Sequence, residues 1–239
     1  RAAPYADCRL GGHKVLDSFP LPLYNNTVSH RIMDSDLTYG EALDRIEKVL
    51  VQGSAGKAEV FLTSLRGKRF VVKDFGRKGF WERHFLGRIF IGREARAYQG
   101  LAGIEGLPGQ ALRLTPFAIA VEYLEAQDLG SVNAGEIGIT VVRQLEKIID
   151  AIHSRGWVHL DLQRRTNILI VNGEVRVIDL ASAFRPGALP LLGPLLTRFF
   201  GIFDRLSLIK FKRLYAPDAL TDNDRCWLKV RNLVMPTKW

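Results

Sequence analysis

His159–Leu180 reads HLDLQRRTNILIVNGEVRVIDL, and this stretch decides the fold. Asp161 and Asp179 flank two runs rich in aliphatic and β-branched residues, NILIV and EVRVID, joined by Asn172-Gly173. Asn-Gly is the preferred central pair of a type I′ turn, whose twist matches the strands it joins, so a tight β-hairpin is predicted. A hairpin returns the chain to its start, which brings Asn167 and Asp179, at its two ends, close to the loop carrying Asp161. The plain reading is a pair of strands with polar ends. The chemical reading gathers a base and two oxygen ligands for a cation at one point, and two aspartates around an asparagine-led hairpin favour it.

Upstream, Thr140 opens a helix in which Val141, Val142, Leu145, Ile148, Ile149 and Ile152 share one face at 3.6-residue spacing, with Gly156 suited to its end. Two short strands precede it, near Ala111–Leu114 and Ala118–Tyr123, the second running into Glu122-Tyr-Leu-Glu125. Farther upstream, KVLVQG, AEVFLTS and GKRFVVKDF are separated by Gly53–Gly56 and by Leu65–Lys68, the pattern of an antiparallel meander. A basic, aromatic helical stretch from Lys78 to Leu101 follows the third run. Thr38 and Glu41 form a capping box that predicts a helix to about Leu50. Residues 1–35, punctuated by Pro4, Gly11-Gly12, Pro20, Pro22 and Asn25-Asn26, read as an extended arm.

With 239 residues and 47% hydrophobic content, the chain has enough apolar surface for a core. Its net charge of +9 directs it toward anionic partners. No helix-turn-helix, zinc-finger or aromatic RNA-binding pattern is visible, so nucleic acid is not the expected partner. Cys8 and Cys226 lack metal-ligand spacing and are read as free thiols. No secretion signal is apparent in the sequence given.

The order of these elements resembles the protein-kinase superfamily: a meander with a glycine-bearing turn, a lysine on its third strand, a glutamate on the next helix, then H-x-D, Asn and Asp around a hairpin. The resemblance implies a two-lobed α+β fold with an antiparallel N-lobe sheet over residues 36–124 and a reduced helical C-lobe over 125–239. It further implies that Gly53 and Ser54 lie in a phosphate-covering turn, that Lys73 holds nucleotide phosphates, and that Glu94 is its ion-pair partner. Glu82, on the same basic stretch, is the rival partner. Glu122 and Leu124 fall where the family binds the rest of the nucleotide. Asp161 takes the role of catalytic base, Asn167 and Asp179 those of Mg²⁺ ligands, and the cofactors implied are ATP and Mg²⁺. His159 is expected to brace the loop and not to exchange protons.

Several features depart from the protein-kinase pattern. Ala55 and Ala58 stand in the glycine turn, Asp161 and Asn167 are one residue farther apart than in ordinary protein kinases, and Asp179-Leu-Ala181 replaces Asp-Phe-Gly. With the short remainder after Ala183, the chain most resembles the bacterial lipopolysaccharide core kinases, which phosphorylate Kdo or heptose. That implies a lipid-linked sugar as acceptor. A protein hydroxyl, as in a Ser/Thr kinase acting on itself or another protein, and a pseudokinase that transfers nothing are the alternatives. RKGFWERHFLGRIFIGR and LPLLGPLLTRFFGIFDRLSLIKFKRLY mix aromatic and basic residues as segments at an anionic membrane surface do, although neither is apolar enough to span one. The same mixture suits helices packed on a core with arginine rims. The expected location is cytoplasmic, at the inner face of the cytoplasmic membrane. The oligomeric state is not legible.

Overall fold

The computed structural model describes residues 37–129, 131, 137–189 and 191–234. The expected arm, residues 1–35, lies outside them. Leu37–Ala219 forms one compact unit, and Leu220–Trp239 falls in another.

The larger unit begins with helix α1 (Tyr39–Asp44), started by the expected capping box: Thr38 accepts from the Glu41 N–H at 3.2 Å while the Glu41 carboxylate accepts from the Thr38 N–H at 3.0 Å. The helix stops at Asp44 instead of continuing to about Leu50. Ile46–Val51 is strand β1, because its β-branched residues pair with β2 (Glu59–Leu65), and cross-strand pairing outweighs local helical continuation. Strand β3 (Lys68–Asp74), β4 (Ala111–Thr115) and β5 (Ala118–Glu122) complete an antiparallel sheet in the order β1-β2-β3-β5-β4.

Alternation along β3 sorts its side chains. Phe70 and Val72 are buried with Leu37, Ala42, Phe61, Leu65 and Ala120, in a cluster shared by α1 and the sheet. Val71 and Lys73 therefore project from the opposite face. Between β3 and helix α2 (Arg88–Gly100), the expected continuous helix is a π-helical stretch over Glu82–Gly87 that passes directly into α2.

Helix α3 (Ile139–Ser154) buries Val142, Leu145, Ile148, Ile149 and Ile152, the face set by its 3.6-residue period. The hairpin is present as β7 (Ile168–Val171) and β8 (Glu174–Val177), and its turn residues have the two positive φ angles of a type I′ turn, 51° at Asn172 and 82° at Gly173. A two-residue strand, β6 (Gln127–Asp128), pairs with β7 and was not predicted. Helix α4 (Gly193–Tyr215) follows. A second cluster runs through α2, β5, α3, β8 and α4, with Ile91, Ile119, Leu145, Ile152, Val177 and Phe211 among its buried members.

In the second unit, helix α5 (Asp222–Val234) starts at a reciprocal cap, Thr221 N–H to Asp224 and Asp224 N–H to Thr221 Oγ1 at 3.0 and 3.1 Å. Cys226 is disulfide-bonded, which corrects the expectation of a free thiol there, since the lack of metal-ligand spacing does not decide whether a cysteine is oxidised; Cys8 lies outside the described residues. Among the described residues, no helix is long and apolar enough to cross a membrane.

Candidate active site

Lys73 extends from the middle of the sheet, where it pairs with Val60 and Ile119. Its Nζ donates to Glu94 Oε1 and to Asp179 Oδ1, each at 2.7 Å. Glu94 comes from the buried side of α2 and is 2% exposed. Of the two glutamates on the basic stretch, Glu94 is thus the partner of Lys73, and Glu82 is not.

These contacts govern the charges. Burial works against the Lys73 ammonium, but the Glu94 and Asp179 carboxylates outweigh it and raise its pKa. Burial pushes Asp179 up, and the attraction and hydrogen bond of Lys73, with the Ala181 N–H, reverse this and leave its pKa below the usual aspartate value. Glu94, the most enclosed of the three, is pushed up by burial, with Lys73 opposing the shift.

Asp179 has a left-handed backbone, φ 63° and ψ 74°, an uncommon conformation for a non-glycine residue. Its Oδ1 carries both the Lys73 contact and the Ala181 N–H at 3.3 Å, so the two bonds share one oxygen. At the other end of the hairpin, the Asn167 carbonyl accepts from the Ile178 N–H at 2.9 Å, which fixes Asn167 next to the residue before Asp179.

The loop between α3 and β7 is bound from within and from below. Asn167 Nδ2 donates to the Asp161 carbonyl at 3.0 Å and to its Oδ2 at 3.2 Å. The loop closes through a 3₁₀ turn over Arg165–Asn167, and Leu160, just before Asp161, has a positive φ of 66°. Arg164, largely exposed, approaches Asp161 Oδ1 at 3.3 Å, and Arg165 donates to the Tyr215 hydroxyl at 3.2 Å. His159 is fully buried. Its Nδ1 accepts from the Asp161 N–H at 3.3 Å and its Nε2 lies 3.3 Å from the Ile178 carbonyl, so a single neutral tautomer with the proton on Nε2 satisfies both. Burial lowers its pKa against the pull of Asp204.

The residue that sequence reasoning missed is Asp204. It lies on α4 at 1% exposure, accepts the His159 and Leu160 N–H groups at 2.8 Å each, and contacts His153 Nε2 at 2.9 Å. The signal was in the sequence: Gly193, Thr197, Gly201, Asp204, Leu208, Phe211 and Tyr215 recur at intervals of three and four, a buried helical stripe with one aspartate in it. Gly201 is needed there, because a Cβ would fall 2.9 Å from His153 Cε1.

The expected nucleotide-binding residues fall as follows. Gly53 and the exposed Ser54 lie in the β1–β2 turn. The Glu122 carboxylate accepts from the Gly109 N–H at 2.8 Å, and the Glu122 N–H donates to the Gln110 carbonyl at 2.9 Å. Leu124 is half-buried just past β5.

Among the described residues, no group of three His, Cys, Asp or Glu side chains is placed to hold a metal by itself. Asp179 and Asn167 nonetheless fit Mg²⁺ by donor type, a carboxylate and an amide oxygen, since this ion is usually held by one or two carboxylates together with nucleotide phosphates.

No protein-family model and no curated protein matches the sequence. Among solved structures, the Rio2 kinase from Chaetomium thermophilum is similar, with a TM-score of 0.48 and 14% identity over 82% of this chain and 72% of that one. A five-stranded antiparallel sheet with helices α1 and α2, followed by a helical part that carries the Asp161–Asp179 loop and hairpin, is a two-lobed kinase-like α+β fold.

Proposed function

We propose that the protein is a phosphotransferase that moves the γ-phosphate of Mg·ATP to a hydroxyl. The observation that carries this reading is the meeting of Lys73, Glu94 and Asp179 at 2.7 Å contacts, with Asp161 and Asn167 tied together beside the same hairpin. In this reading Glu94 aims Lys73, and Lys73 neutralises phosphate oxygens. Asp161 accepts the proton of the acceptor hydroxyl as its oxygen bonds to Pγ and the bond from Pγ to the bridging oxygen breaks, releasing ADP. Asn167 and Asp179 would hold Mg²⁺, which when bound neutralises charge on the phosphates. Asp204 acts through the backbone: by holding His159 and Leu160 it fixes where Asp161 stands.

We further propose a lipid-linked sugar, such as lipopolysaccharide core, as the acceptor, at an anionic membrane surface on the side that ATP reaches. What supports it is exposed apolar surface beside basic residues: Phe80, Trp81 and Phe85 near Arg77, Lys78 and Arg88, and Leu191, Leu195 and Phe199 near Arg198. A protein hydroxyl is the competing acceptor, because the site itself contains nothing selective for sugar.

The test is transfer from γ-labelled Mg·ATP into a bacterial envelope extract, with lipid, glycan and protein fractions counted separately and Asp161→Asn as control. Asp161-dependent label in lipid or glycan is the expected result. Label confined to protein replaces the sugar acceptor with a protein one. ATP binding without label in any fraction makes the chain a pseudokinase.

A further inference from the structure

Glu82 is the one carboxylate between β3 and α2, and the chemistry above leaves it unused. Its Oε1 accepts from the Gly56 N–H at 2.7 Å, across 26 residues of sequence. Lys78, from the same basic stretch, donates to the Ser54 carbonyl at 3.3 Å. A Cβ on Gly53 would fall 2.9 Å from the Glu59 backbone nitrogen and 2.6 Å from the Lys78 Nζ, so glycine lets the turn close on itself beside that ammonium. Gly56 has a φ of 73°, the left-handed conformation that turns an amide outward from a tight loop. Two side chains of opposite charge thus hold the β1–β2 turn, one taking a donor and the other an acceptor.

An amide in such a turn is a natural anion site. The ligand it has here is a carboxylate oxygen at charge-assisted hydrogen-bond distance. We propose that Glu82 is a positioning residue for the nucleotide: its carboxylate stands where a phosphate oxygen goes, holds the turn in its binding shape, and yields the Gly56 amide when phosphate arrives. This rests on reading the β1–β2 turn that carries Gly53 and Ser54 as phosphate-covering. Because carboxylate and phosphate are both anions, each phosphorylated ligand works against Glu82, whereas an unphosphorylated nucleoside does not. Lys78 keeps the turn anchored through Ser54 during the exchange.

The experiment titrates full-length wild type, Glu82→Gln and Glu82→Ala with Mg·ADP and with adenosine by calorimetry. Glutamine retains the acceptor oxygen and removes the charge, so it separates competition from bracing. The expected result is Mg·ADP binding about threefold to tenfold tighter in Glu82→Gln, with adenosine affinity unchanged. In Glu82→Ala the ratio of Mg·ADP to adenosine affinity rises likewise, while the thermal midpoint drops because the turn has lost its brace. Equal weakening of both ligands, or Mg·ADP affinity in Glu82→Gln that does not rise, overturns the inference alone if the wild type binds Mg·ADP. Wild type that binds neither ligand overturns the phosphate-turn reading, and the inference with it.

Discussion

Lys73 Nζ and Asp179 Oδ1 lie 2.7 Å apart, although 106 residues separate them in the chain. The contact ties the centre of the sheet to the end of the hairpin, and Glu94 on α2 closes the group from a third element. One ammonium therefore serves two carboxylates, of which Glu94 is the one enclosed by protein.

Removing Lys73 separates stability from binding. Lys73→Met leaves Glu94 buried without its cation and is expected to cost about 3 kcal/mol in urea unfolding, and to abolish Mg·ADP binding by calorimetry. The double variant Lys73→Met, Glu94→Leu removes the orphaned charge and should recover much of that stability while still failing to bind. A double variant no more stable than the single one would show that Glu94 does not depend on Lys73.

Asp161 should affect chemistry and not affinity. Its carboxylate is bound by Asn167 and approached by Arg164, and asparagine preserves its shape. Asp161→Asn is expected to lower transfer about 10²- to 10⁴-fold, the usual contribution of a positioned base, with Mg·ADP affinity unchanged. Single-turnover transfer alongside calorimetric titration checks both halves, and a variant that keeps its turnover removes Asp161 from the role of base.

Asp204 should act at a distance. Asparagine there has one oxygen for two backbone N–H groups and turns an NH₂ toward one of them, so Asp204→Asn is expected to lose about 2 to 3 kcal/mol. Because Asp204 holds the loop and not the Lys73 cluster, turnover should fall more than tenfold while the KM for ATP stays put. A raised KM with unchanged kcat would place Asp204 on the nucleotide side instead.

Much of this arrangement was legible because its signals are local. Asn172-Gly173 dictates a hairpin by turn geometry, the apolar period over Val141–Ile152 dictates a helical face, and FVVK places its lysine on the face opposite Phe70 and Val72. What was missed depends on distant partners. The capping box at Thr38 marks where α1 begins, but pairing with β2 decides where it ends. Glu82 and Glu94 share one stretch of sequence, and only the fold sends one to Lys73 and the other to Gly56. Asp204 lies in a segment whose aromatic and basic composition suits a surface, and three-dimensional burial, not composition, makes an acid on a helix into a loop anchor.

His159 makes the fold sensitive to acid, and the sign follows from its burial. Its folded-state pKa is lowered, so between that value and the unfolded value of about 6.5 the unfolded chain binds a proton that the folded chain does not. Stability is therefore retained above about pH 6.5 and declines as the pH drops through this window. Protonation would place a hydrogen on Nδ1, which is occupied in accepting the Asp161 N–H, so the strain falls on the candidate catalytic loop. His159→Phe removes the titrating group. It is expected to be less stable at neutral pH, from loss of both hydrogen bonds, yet to show a flatter dependence of unfolding free energy on pH from about 7.5 down to about 5. Urea unfolding of both proteins across that range is the check. If wild type and variant lose stability in parallel, the acid sensitivity belongs to another group and His159 is not held neutral.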